Sequence, residues 1–434
     1  LARTEHMFLG ERLPDVQLML LGSLTGNNEL RDRAIREIIP KQKEDFIGLF
    51  EAMHGLPVII RLLDPPLHEF LPKLDDGKRI KELASETGKT EDEIRAILKE
   101  ISEENPMFGY RGVRLLLHFP EIARMQARAI IEAAIEAQEK GIKIHPEIMV
   151  PVVAEPKEFA KMRGIIREVA ETVMRERGVK VNYKLGTMIE ISRAPLLADK
   201  IVEEGAEFFS FGTNDLTQSA LGASRDDIAR FIPLYVAKRI YPVDPFKTVD
   251  HSSVGALIAL TRQFARGIEV GICGEHGGDP VTIGLLYSAD LSYASASPFR
   301  VPITRLSAAQ AEIKENRGEE VTPDVLKAIK TAQRLKDEVI PAVRQGKALV
   351  APRRISLRLS VATKQEASTA VISGIKAIDL NLTRIILENP EVLLPLRKAI
   401  LIGMATNNIE VLDATLLEFR ENLKRTLSDI VGDA

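Results

Sequence analysis

The 434 residues are 45% apolar and 28% charged, with a formal net charge of −3, which is the composition of a globular protein rather than a disordered or fibrous chain. That near-neutral balance, with dispersed basic residues, gives no electrostatic footing for nucleic acid or an anionic membrane surface. A single cysteine excludes an intramolecular disulfide and a cysteine-rich zinc site; with no signal-peptide pattern and no apolar run of about 18 residues, a cytoplasmic protein without a membrane span is expected.

Taken in chain order, the first residues read as the stub of a strand, since only Leu1 and Ala2 precede Arg3. There is no initiator Met, so a fragment or processed product of a longer polypeptide is expected, with closure of the sheet depending on residues upstream. Short β-rich runs follow at Pro57–Leu63, Ile148–Val153, Lys184–Ile191, Phe208–Gly212, Ile268–Cys273 and Leu291–Ala294. Helix-like segments alternate with them, among them Glu121–Glu139, Pro156–Arg177, Ala194–Glu204 and Ser253–Arg266. This alternation predicts parallel strands with helices outside, and the number of units favours a (β/α)8 barrel of the TIM type. An open doubly wound sheet competes, but no phosphate-binding glycine fingerprint follows an early strand.

The segment 65–108 reads as an insertion where a lid would sit; within it Leu74–Ser102 is helix-patterned, and Thr90-Glu-Asp-Glu93 is a helix start. The barrel domain is expected to span 1–312. Beyond it, Phe419 is the only aromatic residue and amphipathic patterns dominate, with one period-two stretch at Ile355–Val361. Residues 313–434 are therefore expected to form a mainly α-helical C-terminal region, with packing or assembly as its plainest role.

In such barrels chemistry gathers at the C-terminal ends of the strands. There the runs end in Arg61 and Asp64, in Glu190, in Asn214 and Asp215, and in Cys273. Glu190 and Asp215 lie 25 residues apart on successive strand ends, so both carboxylates would face one mouth and could hold Mg²⁺. Either acid alone could instead be a surface ion pair, and Asp215 could cap the following helix. Arg3, Arg61 and Arg111 sit at or near strand ends, where guanidinium forks grip phosphate or carboxylate; Arg114 competes with Arg111 for that part. Gly212-Thr213-Asn214 offers backbone N–H groups and an amide, or an ordinary turn with an Asn cap. The Cys273 thiol in Gly271–Pro280 could move a proton, attack a substrate or fill space. His276 nearby could tune the thiol or position its loop, and the role of Tyr293 stays open.

As a set these residues resemble the C-terminal phosphoenolpyruvate/pyruvate-binding domain of the pyruvate, phosphate dikinase family of phosphoenolpyruvate-utilising enzymes. The matching stretches are RTEHMF (3–8), RLLDPPLHEFLP (61–72), GYRGVRL (109–115), TMIEISRAPL (187–196), FFSFGTNDLTQ (208–218), GICGEHGGDP (271–280) and SPFRVPITRLSAAQ (297–310). The resemblance implies a (β/α)8 barrel acting as a phosphotransferase between pyruvate and phosphoenolpyruvate. It implies Mg²⁺ on Glu190 and Asp215, substrate contacts from Arg3, Arg61, Arg111, Gly212, Thr213 and Asn214, and Cys273 as the acid/base at the methyl/methylene carbon. A homodimer, and a phosphohistidine supplied by a domain outside this chain, are implied as well. Ser192 departs from the proline common in the family, and residues beyond Gln310 have no counterpart there. A non-catalytic phosphoenolpyruvate-binding relative and a Mg²⁺-dependent 2-oxo-acid lyase are the alternatives.

Overall fold

A computed structural model describes residues 1–103, 109–319 and 334–341; those up to Lys336 belong to one compact unit. Strand β1 (Ala2–Arg3) leads to helices α1 (Leu13–Thr25) and α2 (Asn28–Ala52), then β2 (Pro57–Arg61). Helices α3 (Gly77–Thr87), α4 (Glu91–Glu100), α5 (Val113–His118) and α6 (Pro120–Glu139) precede β3 (His145–Val150). There follow α7 (Pro156–Arg177), β4 (Lys184–Ile189), α8 (Arg193–Leu196), α9 (Ala198–Glu203) and β5 (Phe208–Gly212). After β5 come α10 (Thr213–Leu221), α11 (Arg225–Ile228), α12 (Ile232–Ala237) and α13 (Val254–Phe264), then β6 (Glu269–Cys273), α14 (Pro280–Ser288), β7 (Tyr293–Ala294) and α15 (Val301–Asn316).

The strands form one parallel sheet in sequence order, β1 to β7, as an α/β chain with helical crossovers must. The sheet curls. The β6 thiol of Cys273 lies within electrostatic reach of Arg3 on β1 and Arg61 on β2. In a flat sheet β1 and β6 would stand about 24 Å apart. Among the described residues β1 and β7 pair with one neighbour each, leaving a seven-stranded partial barrel.

Period-two alternation sorts the side chains. Ile60, Ile148, Leu185, Phe209, Phe211 and Ile272 face the helix layer in the main core. Ile59, Met149, Met188, Phe208 and Cys273 face inward as a second cluster with Tyr293. Glycines make room for the large members of that cluster. A Cβ on Gly186 would stand 2.5 Å from the Phe208 ring, and one on Gly271 would stand 2.3 Å from that of Tyr293.

Some helices differ from expectation for local reasons. The stretch Ala194–Glu204 breaks at Leu197, whose N–H closes a tight i→i−3 bond to Ala194 O at 3.0 Å. The helical run from Leu74 divides at Gly88 (φ +70°), and Thr90 with Glu93 forms the capping box that starts α4. This hairpin joins the main core through Ile80, Leu83, Ile94 and Leu98. It is tied to α1 through Gln17, which donates to Phe70 O and accepts from Arg79. α2 shows a stripe at period four, Leu30, Ala34, Ile38, Gln42, Phe46 and Phe50, that the sequence reading passed over. Among the described residues no helix is long and apolar enough to cross a membrane. The expected helical region 313–434 lies outside the described residues, apart from 313–319 and 334–341.

Candidate active site

Arg3 and Arg61 are register partners at the ends of β1 and β2. Arg61 binds the Glu5 carboxylate and, through Nη1, Asp64 Oδ2 at 2.8 Å. Pro65 follows Asp64, and a proline disfavours helical backbone at the residue before it. Arg111 closes on the same carboxylate from the other side. Its Nη2 lies 2.8 Å from both Asp64 oxygens and 2.9 Å from Asp215 Oδ2. The turn carrying Arg111 is pinned by a bond from Gly112 N to Asp64 O at 3.0 Å. Gly112 is required there: its φ is +56°, and a Cβ would stand 2.6 Å from Val152 Cγ2. Arg114 donates to Gly109 O at 3.0 Å, so it braces the turn that presents Arg111.

Glu190 follows β4 and is 1% exposed. Its Oε1 accepts the Val152 N–H at 2.6 Å. Val152 holds a left-handed φ of 62°, a strained conformation for a β-branched residue. The position of Gly212 on β5 gives the Glu190 carboxylate its space, since a Cβ there would stand 2.3 Å from Oε2. Asp215 is the third residue of α10 and accepts from Gln218 Nε2 at 3.0 Å. The N-cap of α10 is Gly212, with no side-chain cap bond, so the capping alternatives for Asn214 and Asp215 are both set aside.

Asp64, Glu190 and Asp215 are thus three neighbouring acids whose pKa values are shifted in different directions. Burial would raise Asp64, but Arg61 and Arg111 outweigh it and hold the carboxyl below its ordinary value. Burial, then the charges of Asp64 and Asp215, push Glu190 up to about 8. Burial also raises Asp215, against the pull of Arg111. Two acids driven toward the neutral form mark a place short of positive charge. Among the described residues no group of three His, Cys, Asp or Glu side chains is placed to hold a metal ion. A cation here would therefore rest on Glu190 and Asp215 and complete its shell with water or ligand oxygens.

Cys273 ends β6 directly across from Gly212. It is free and 4% exposed. Burial pushes the thiol above its ordinary value, and the adjoining Ser210 opposes this in part. A neutral thiol at the floor of an acidic and cationic mouth can give a proton and, once deprotonated, take one. Among the described residues Arg3 has no ion-pair partner, so its exposed guanidinium is available to an anion, whereas Arg61 and Arg111 already hold carboxylates. Asn214 Oδ1 faces the Glu275 N–H at 3.5 Å, beside the Cys273 loop.

Of the nine candidate residues, Arg3, Arg61, Gly212 and Cys273 end β1, β2, β5 and β6, Glu190 directly follows β4, Thr213, Asn214 and Asp215 open α10, and Arg111 comes from the turn before α5. The sequence reading noted Asp64 only as the polar end of a run and did not make it part of the site. Its signal was a carboxylate three residues after Arg61, immediately before two prolines. Glu5 was missed for want of any local signal. Ser210 and Tyr293 adjoin the thiol and each other on the inner face.

Residues 1–313 match the family described as PEP-utilising enzyme, PEP-binding domain. The chain is 52% identical over 318 residues to pyruvate, phosphate dikinase 1, chloroplastic, of Arabidopsis thaliana, covering 72% of this chain and 33% of that protein. It is 50% identical over 316 residues to pyruvate, phosphate dikinase 2 of Zea mays, covering 71% and 35%. With pyruvate, phosphate dikinase of Clostridium symbiosum the identity is 49% over 319 residues, covering 72% and 36%. The chain spans about a third of the length of these relatives. Through residues 1–313, most of its length, the chain belongs to the PEP-utilising enzymes and carries their PEP-binding domain.

Proposed function

We propose that this chain carries the pyruvate/phosphoenolpyruvate half-reaction of a pyruvate, phosphate dikinase-like phosphotransferase. The observation that carries the reading is the buried neutral thiol of Cys273 beside a pair of acids short of positive charge and three strand-end or turn arginines. Relatives named pyruvate, phosphate dikinase at about 50% identity support it.

In the synthetic direction, Cys273 as thiolate takes a proton from the methyl carbon of pyruvate, and the electron pair of that C–H bond forms the enolate. The enolate oxygen attacks the phosphorus of a phosphohistidine on another domain or chain, the P–N bond breaks, and the histidine leaves with that electron pair. In reverse, the thiol gives its proton to the methylene carbon of the enolate. Arg3 receives the carboxylate or phosphoryl group at the mouth, and Arg61 and Arg111 hold positive charge against the developing oxyanion. The N–H groups of Thr213 and Asn214 open helix α10 toward the same anion. Mg²⁺, held by Glu190 and Asp215, would supply charge neutralisation for the enolate and the transferring phosphoryl group. We further propose that an eighth strand closes the seven into a (β/α)8 barrel, and that the protein works as a cytoplasmic homodimer.

The test is exchange of pyruvate methyl protons with deuterium, followed by proton NMR with and without Mg²⁺. Cys273→Ala is expected to abolish exchange while pyruvate binding persists. Exchange that survives Cys273→Ala would remove the thiol from the reaction.

A further inference from the structure

His276 is wholly buried, three residues beyond the thiol in a short 3₁₀ turn (Glu275–Gly278), and the proton transfer proposed above does not use it. Its Nε2 lies 2.9 Å from Pro245 O, and its Nδ1 lies 2.9 Å from Thr213 Oγ1. Thr213 Oγ1 in turn lies 3.3 Å from Cys273 O. A carbonyl oxygen can only accept, so the ring proton is assigned to Nε2. Burial lowers the ring's pKa from its ordinary value, which favours the neutral form. Nδ1 then offers a lone pair, and the Thr213 hydroxyl must donate to it. A hydroxyl has one hydrogen, so the 2.9 Å bond to Nδ1 takes precedence over the 3.3 Å approach to Cys273 O.

Three separate segments meet at this one imidazole: the β5–α10 turn, the loop that follows Cys273, and the Pro245 segment. Gly274 brings the first two of these together. Its φ is +105°, and a Cβ there would stand 3.1 Å from Thr213 Oγ1 and 3.4 Å from Asn214 Oδ1. The Cys273–Gly274 backbone therefore rests directly on Thr213 and Asn214, and His276 sets the height at which it rests. With its proton committed to Nδ1, the Thr213 hydroxyl cannot donate to a bound carboxylate, so Thr213 addresses an anion through its backbone N–H.

We infer that His276 is a positioning residue, which fixes Cys273 relative to Thr213 and Asn214 by holding the Thr213 hydroxyl as its hydrogen-bond donor. The inference rests on the enolate reading of the same site.

Asn and Gln separate the two ring nitrogens. His276→Asn keeps an acceptor near the Nδ1 position, and His276→Gln keeps a donor near the Nε2 position. In the full chain, His276→Gln is expected to slow methyl-proton exchange of pyruvate about tenfold or more, with pyruvate affinity held within about threefold, as a small misplacement of a reacting group does. His276→Asn is expected to retain most of the exchange, and Thr213→Val to reproduce the loss. Two-bond proton–nitrogen NMR on the unsubstituted protein, with the His276 signal identified by its disappearance in His276→Asn, should show Nε2 protonated and Nδ1 bare. A protonated Nδ1, unchanged exchange in Thr213→Val, or an Asn variant no better than Gln would overturn the inference. Failure of the unsubstituted protein to exchange would instead overturn the enolate reading, and the NMR result on the ring would stand apart from it.

Discussion

Asp64→Asn removes one negative charge from between two guanidiniums while leaving the side-chain shape nearly unchanged. Asp64 is 3% exposed, and its oxygens lie 2.8 Å from Arg61 Nη1 and 2.8 Å from Arg111 Nη2. At an effective dielectric constant near 20, each contact carries about 6 kcal/mol of Coulomb attraction before desolvation is set against it. Removing one partner of such a buried pair costs about 3–5 kcal/mol, because the charge left behind has no water to return to. Arg61 keeps Glu5, and Arg111 keeps Asp215 at 2.9 Å, which places the expected loss near the lower limit, about 3 kcal/mol. That is on the order of a hundredfold in the folded-to-unfolded ratio. Urea unfolding followed by far-ultraviolet circular dichroism would read it as a lower midpoint at unchanged slope. Glu168→Gln is the control: Glu168 meets Arg124 at the comparable distance of 2.9 Å, but the two side chains are 63% and 42% exposed, and no measurable change is expected. If Asp64→Asn behaved like the control, the buried charge bridge would not be holding the site together.

Three further outcomes follow from the same geometry. Glu190 has its pKa pushed up to about 8, from an ordinary value of 4.5, by burial and then by Asp64 and Asp215. A raised folded-state pKa contributes stability that is complete below about pH 4.5 and is lost as pH rises through about 8. A divalent cation on Glu190 must displace that proton, so the Mg²⁺-induced rise in Tm should be larger at about pH 9 than at about pH 6. A rise of equal size at both would rule out Glu190 as a ligand. In Glu190→Gln the pH dependence of that rise should flatten, and an unaltered profile would point to another acid. Gly212→Ala places a Cβ 2.3 Å from Glu190 Oε2 and 2.7 Å from Met188 Cε, which should cost about 1–3 kcal/mol and depress pyruvate exchange; full exchange would show that Glu190 can move without consequence.

Much of the sheet was legible because its signal is local. Phe208–Gly212 and Pro156–Arg177 were read to the residue, since apolar runs and periods bounded by glycine, proline or charge are properties of neighbouring positions. The capping box at Thr90 and Glu93 was legible for the same reason. Glu190, Asp215 and Cys273 could be singled out because each follows an apolar run, at or just past a strand end. Their partners could not. Arg111 reaches Asp64 across 47 positions and Asp215 across 104, and no local pattern records such a pairing.

What the chain determined by itself was therefore the strand and helix order and the chemical types placed at the strand ends, both of which depend on residues a few positions apart. The packing of the sheet's inner face was decided in three dimensions, where Phe208 fills the space over Gly186 and Tyr293 that over Gly271, residues far apart in sequence. So was the protonation of the site. Three carboxylates of similar intrinsic acidity separate into one held ionised and two pushed toward neutrality. Burial, the repulsion among the three acids and the positions of Arg61 and Arg111 draw that distinction, and together they exist only once the chain has folded.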